Sequence, residues 1–218
     1  MTNSPPALHN TIINGDCVSV LPQLDPGSVN FILTDPPYVA RYKSRDGRTV
    51  PNDDNFAWLK PAFTAMYRIL KRDSFCVSFY GWPNAHRFVE AYHAAGFHVV
   101  GHFVFPKHYT SGKGRVRYQH ECAYLLAKGR PPERAQLIGD VIPWRTYTHN
   151  RLHPTQKPLA ILTPLIEAFS DPGDLVLDPF TGSGSSLLAA KKLGRSWLGI
   201  ELDARYHAIA SERLEQPA

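Results

Sequence analysis

The chain is 218 residues long, 43% hydrophobic and 20% charged, with a formal net charge of +5 and a sequence pI near 9.1. That suits one large domain, or one with a small insertion, able to bury a real core; the mild basic excess admits a polyanionic partner without requiring one. No apolar run reaches membrane-spanning length, Met1 to Asn10 lacks a basic-then-apolar leader pattern, and Cys17, Cys76 and Cys122 lack the spacing of a zinc site or disulfide framework, as expected of reduced thiols in a soluble cytoplasmic protein.

In chain order, Met1 to His9 reads as a loose tail. Thr11 to Ile13 is a short strand, ended by the turn signal Asn14-Gly15 before Asp16 and Cys17. Val18 to Leu24 suits a short helix that stops near Pro26-Gly27. Asn30 to Tyr38 reads N-F-I-L-T-D-P-P-Y: an apolar run fit for a buried strand, then a stop. Pro36 and Pro37 cannot donate to a sheet ladder and fix their own φ, so a carboxylate, a stiff turn and an aromatic ring stand at the carboxyl end of a strand. In open α/β sheets that edge is where ligands bind. Val39 to Asn55 is long, polar and basic, with Arg41, Lys43, Arg45 and Arg48 before Asp53 and Asp54. It is either a solvated loop or a segment that orders on a phosphate backbone.

Leu59, Ala62, Phe63, Met66, Tyr67 and Leu70 recur at helical spacing, with Pro61 near the front. Phe75 to Tyr80 is a strand, Gly81-Trp82-Pro83 a turn, Asn84 to Ala95 a helix capped by Gly96, and Phe97 to Phe105 another strand. Lys107 to Gln119 breaks the alternation. Its Lys107, Lys113, Arg115 and Arg117, interleaved with His108, Tyr109 and Tyr118, suit nucleic-acid contact, against the plainer reading of a solvated hairpin or loop. Glu121 to Ala127 is a strand, and Lys128 to Asn150 is Pro- and Arg-rich and irregular. A helix follows from about Leu159 to Phe169. Leu175 to Leu177 is a buried strand, and Asp178 to Ser185 a glycine-rich turn. A helix then runs through Leu193 to Gly194, Trp197 to Ile200 forms a strand, and Ala204 to Leu214 a last helix. Strands alternating with helices predict a mostly parallel sheet covered on both faces.

Gly182 and Gly184 let backbone approach a ligand closely, but Gly-Ser-Gly departs from the dinucleotide fingerprint, and no Gly-Lys-Ser/Thr follows to make a phosphate loop. Glu201 ends the next strand, where an acidic residue can grip ribose hydroxyls; the plain reading is a carboxylate favoured by a helix N-terminus. Thr155 and Lys157 precede a helix and could form an anion site or a capped helix start with a surface lysine. His149 and His153 lack the further ligands that a metal would need.

Four stretches then agree. Asp35-Pro36-Pro37-Tyr38, His153 to Pro158, Asp178 to Ser185 and Gly199 to Asp203, in this order, resemble the β group of the DNA amino-methyltransferases, enzymes that use S-adenosylmethionine to methylate exocyclic nitrogens. Asn14 to Cys17 and His120 to Lys128 fit the same pattern, so the likeness spans about Thr11 to Leu214. The resemblance implies a Rossmann-like seven-stranded sheet with helices on both faces and one antiparallel strand. It implies a single domain over residues 1–218 with permuted motif order, and a small target-recognition insertion over 107–150. Family members often carry a longer recognition segment than this one.

The resemblance also implies roles. Asp35, Pro36, Pro37 and Tyr38 would be catalytic: Asp35 and the Pro36 carbonyl accept the two N–H groups of a flipped adenine, and Tyr38 stacks on it. Asp16, Cys17, Thr155, Lys157, Asp178, Pro179, Phe180, Gly182, Ser183, Gly184 and Glu201 would hold the cofactor, with Glu201 on the ribose, Asp16 on the adenine, and Lys157 and Thr155 near the carboxylate. Arg41, Lys43, Arg45, Arg48, Lys107, Lys113, Arg115 and Arg117 would meet DNA. No metal and no membrane enter; a homodimer and a restriction-modification setting remain options. N4-cytosine methylation is the near alternative, since cytosine presents a similar N–H₂ group; D-P-P-Y resembles the adenine enzymes more often than S-P-P-Y does, which favours adenine. The absence of a Pro-Cys dipeptide speaks against the covalent cytosine-carbon mechanism. A DNA-binding module with a dead site and a nicotinamide oxidoreductase are the readings from other classes.

Overall fold

The computed structural model describes residues 9–43, 47, 49–111, 115–134, 136–144 and 152–216. Seven strands form one sheet in the order β1-β7-β6-β2-β3-β5-β4. They are β1 (Thr11–Asn14), β2 (Val29–Thr34), β3 (Leu70–Tyr80), β4 (His98–Ser111), β5 (Tyr118–Lys128), β6 (Leu175–Asp178) and β7 (Ser196–Glu201). Only β5 runs against its neighbours; it pairs antiparallel with both β3 and β4, as the resemblance implied. The helices are α1 (Cys17–Val20), α2 (Leu59–Ile69), α3 (Ala85–Ala95), α4 (Leu159–Phe169), α5 (Ser185–Lys192) and α6 (Ala204–Glu215).

Side-chain alternation on the central strands builds two cores. Ile32 of β2, Cys76 of β3 and Leu177 of β6 face α2 and α3, with Phe63, Met66, Phe88 and Tyr92. Phe31, Leu33, Val77 and Val176 face α4 and α5, with Leu165, Ile166 and Leu187. Successive residues point to opposite faces, so a strand buried on both sides reads as an unbroken apolar run. β6 and β2 lie side by side with Phe31 opposite Val176 and Ile32 opposite Leu177. From there the chain winds outward in both directions, which opens a crevice at their carboxyl ends.

Two elements differ from the expectation. β3 begins at Leu70, directly after α2, and its exposed residues Lys71 to Asp73 bulge out between the pairings Val29–Leu70 and Phe31–Phe75, with Asp73 at φ 57°. The segment from Lys107 does not break the sheet: β4 runs on to Ser111 and β5 starts at Tyr118, so the basic and aromatic stretch is the far end of a hairpin. Pro106 is tolerated because β4 is an edge strand. Residues 107–150 therefore begin within the sheet. A later part of them returns along β4, with Val141 beside Val104 and Trp144 beside Lys107.

Gly199 marks a point of close approach. A Cβ there would lie 2.5 Å from both Leu187 Cδ1 and Thr181 Oγ1. Gly199→Ala is expected to destabilise the fold by about 1–3 kcal/mol, read as a lower urea midpoint with an unchanged slope; an unchanged midpoint would contradict the packing described.

Candidate active site

β2 delivers Asp35 to the crevice, and its carboxylate is held at both oxygens. Tyr38 donates its hydroxyl to Asp35 Oδ1 at 2.7 Å. Lys157 Nζ donates to Asp35 Oδ2 at 2.5 Å and reaches Tyr38 Oη at 3.2 Å. Lys157 precedes α4, and its side chain is 5% exposed. Its ammonium also faces Glu121 Oε2 of β5 at 3.1 Å, and Lys107 of β4 closes the row at 2.7 Å from Glu121 Oε1. Four charges of alternating sign thus run from the end of β2 to the sheet edge.

Burial pushes the Asp35 carboxyl up, and the Lys157 cation offsets part of that rise. Burial opposes the charge of Lys157, but Asp35 and Glu121 overcome it and hold its proton more tightly than usual. Burial likewise opposes ionisation of Glu121, and Lys157 and Lys107 overcome it. A lone buried charge would shift to its neutral form; here each is paired.

The turn after Asp35 is strained and clamped. Val39 has φ 55° and Arg41 φ 51°, rare for residues with a branched or long side chain. Asn84 donates to the Tyr38 carbonyl at 2.9 Å. Asp53, buried, accepts from the N–H of Ala40 at 3.0 Å and of Tyr42 at 2.6 Å. Gly81 lies so near that a Cβ would sit 2.7 Å from Tyr38 Cβ. Sequence reading missed these supports; the Gly81-Trp82-Pro83 turn at a strand end was the one available signal.

The other half of the crevice is built by the glycine turn. Asp178 accepts from the Phe180 N–H at 3.0 Å and from the Ser186 hydroxyl. Glu201 accepts from the N–H of Gly182 at 2.7 Å and of Asp203 at 2.8 Å, one on each oxygen. Its backbone carbonyl meets Gly15 N–H at 2.9 Å, which ties the two chain ends together. Asp16 caps α1 through the Val18 N–H at 2.9 Å. The Cys17 thiol is pushed up to about 12 by burial, and so is inert. The Phe180 ring meets Trp58 edge-on at 5.0 Å. Thr155 N–H donates to His153 Nδ1 at 3.3 Å.

One continuous cleft is lined by Asp16, Cys17, Asp35 to Tyr38, Thr155, Lys157, Asp178 to Ser183 and Glu201. Gly184 is turned away: a Cβ there would meet Ala210 of α6 at 3.2 Å, so this glycine serves helix packing. Lys157 also departs from expectation, because its ammonium is engaged by two carboxylates on the Asp35 side. Lys107 is a correction too: its side chain is 6% exposed and bound to Glu121, so it is no surface phosphate contact. Arg41, Lys43, Arg115 and Arg117 are exposed, whereas Arg45, Arg48, Lys113 and His149 lie outside the described residues. Among the described residues, no group of three His, Cys, Asp or Glu could hold a metal ion.

Burial raises the Asp178 carboxyl to about 7, against the donors Ser186 and Phe180 N–H. A carboxyl raised in the folded state favours folding most below its unfolded value of about 4 and loses that contribution as pH climbs to about 7. In urea titrations of the ligand-free protein, Asp178→Asn is expected to flatten the decline in stability over that window; a curve parallel to wild type would contradict it.

Similarity to known proteins extends along most of the chain. A family model described as DNA methylase, for N6 and N4 methyltransferases, matches residues 29–212. YubD of Escherichia coli strain K12, named provisionally as a methylase, is 52% identical over 202 residues, covering 93% of this chain and 88% of its own. The DNA adenine methyltransferase YhdJ of the same organism is 28% identical over 243 residues, covering 94% and 82%. The M1.HpyAVI–SAM complex superposes with TM-score 0.76 at 24% identity over 94% of this chain and 99% of that one. The PvuII cytosine-N4-specific DNA methyltransferase gives TM-score 0.76 at 19% identity over 94% and 86%. The chain belongs to the DNA methylase family of N6 and N4 amino-methyltransferases.

Proposed function

We propose that this protein transfers a methyl group from S-adenosylmethionine to the exocyclic N6 of adenine in DNA, at a specific site, on a base flipped out of the duplex. The observation that carries the reading is the opening of the Asp35 to Tyr38 corner into the same cleft as Phe180, Gly182 and Glu201.

The donor set suits the cofactor. Glu201 has one backbone N–H on each oxygen and keeps lone pairs for ribose hydroxyls. The Phe180 ring borders the cleft with an apolar face, and Asp178 and the Gly182 to Ser183 turn present polar groups suited to an amino-acid moiety. Asp16, which also lines the cleft, would take the adenine. When bound, the cofactor supplies an electrophilic methyl group on a sulfonium.

The chain's own residues handle the amine. An adenine amino group attacks poorly because its lone pair is conjugated into the ring. Asp35 accepts one of its N–H groups and the Pro36 carbonyl the other, which favours a pyramidal nitrogen with its lone pair free. Tyr38 stacks on the base. Asp35 then takes the proton that the nitrogen must shed. Lys157, fixed between Asp35 and Glu121, favours the ionised carboxylate and holds it in place, so catalysis rests on positioning and fixed charge. The second reading is cytosine N4, whose amino group offers the same pair of donors. The D-P-P-Y corner and the relation to the adenine enzyme YhdJ support adenine.

Nucleoside mass spectrometry of methylation-free genomic DNA, treated with the protein and S-adenosylmethionine, is expected to find N6-methyladenine. Asp35→Ala is expected to abolish it, a loss of several orders of magnitude, while calorimetric cofactor binding persists. N4-methylcytosine as the product would replace the reading with the second one, and no methylated base at all would sink both.

A further inference from the structure

Trp82 has no part in the site described above, yet it is the first residue of the turn that clamps the acidic corner. Its side chain is 65% exposed. An indole left in water at a conspicuous position is a common mark of a contact surface. The ring is not loose: it lies nearly parallel to Tyr118 of β5, with centroids 5.9 Å apart and planes inclined by 23°. Gly81 before it is pressed against Tyr38, and Asn84 after it donates to the Tyr38 carbonyl. Arg115 and Arg117, both exposed, lead directly into Tyr118.

We propose that Trp82, backed by Tyr118, is a stacking shelf for a nucleobase left unstacked next to the one being methylated, with Arg115 and Arg117 on the adjoining phosphates. This rests on the DNA-methylating reading above. The occupant follows from shape and charge together. A flat, exposed ring supported from behind accepts another flat ring on its outer face, and the exposed guanidinium groups of the segment that leads into Tyr118 select an anionic chain. Every base has a π-face, so the shelf adds affinity without reading sequence. Extruding the target base leaves its neighbours without a stacking partner, and a ring fixed to the same clamp as Tyr38 is placed to supply one.

The test uses the full-length protein and fluorescein-labelled 30-mer oligonucleotides of mixed sequence, duplex and single-stranded, read by anisotropy across a salt series. Trp82→Ala is expected to weaken binding by about 10-fold, more for the single strand, with the salt dependence unchanged, and Trp82→Phe to restore most of the loss. Arg117→Ala is expected instead to flatten the salt dependence by about one unit of slope. Calorimetric binding of S-adenosylmethionine should be unaltered by Trp82→Ala, which confirms an intact cleft. Wild-type affinity in Trp82→Ala, or a loss that Trp82→Phe does not restore, would overturn the shelf while leaving methyl transfer standing. Failure of the wild-type protein to methylate or bind DNA would overturn the functional reading and the shelf with it.

Discussion

A lysine enclosed by two carboxylates determines what the acidic corner can do. Left alone in its buried setting, Asp35 would take up a proton and become a hydrogen-bond donor on one oxygen, useless for gripping an amine. Lys157 at 2.5 Å offsets part of that pull, and Glu121 keeps Lys157 from being a solitary buried cation in its turn, with Lys107 on the far oxygen of Glu121. Such rows contribute little net stability, but removing one member strands its neighbour and commonly costs about 3–5 kcal/mol. Their value here is positional, because each charge sits on a different element: the end of β2, the start of α4, β5 and β4. The hairpin that carries the exposed basic residues is thereby linked to the acidic corner by direct contacts.

The rest of the cleft follows the same logic of backbone groups fixed by carboxylates. Glu201 holds the Gly182 turn and its own helix start, Asp178 holds the Phe180 N–H and Ser186, and Asp53 holds Ala40 and Tyr42. Strain at Val39 and Arg41 persists because Asn84 and Asp53 over-determine the turn. The sheet makes this possible by returning the last strands of the chain to its first, so that Gly15 and Glu201 meet although they are far apart in sequence.

Much of this could be read from the amino-acid order. The apolar run at Phe31 to Leu33, the prolines after Asp35 and the strand–glycine–helix sequence around Gly182 each have a local physical cause, and each element formed where that cause acts. What escaped reading depends on long-range pairing. A hairpin beyond Pro106 is among the readings the sequence admits, but the burial of Lys107 was not legible, because this lysine looks like a surface residue until Glu121 and Trp144 are placed around it. Lys157 had the same ambiguity: a lysine before a helix can meet an incoming anion or an internal one, and only the fold brings Asp35 and Glu121 to it. Gly184 resembled a ligand-facing glycine until α6 was seen against it.

The most direct test is the pH dependence of single-turnover transfer of a tritiated methyl group to genomic DNA by wild type, Lys157→Arg and Lys157→Met. If Lys157 holds Asp35 ionised, Lys157→Met moves the acid limb of the rate profile to higher pH, because the carboxylate has lost the cation that favours its charge, and Lys157→Arg moves it less. A Lys157→Met enzyme that folds, binds S-adenosylmethionine and keeps the wild-type acid limb would contradict the account.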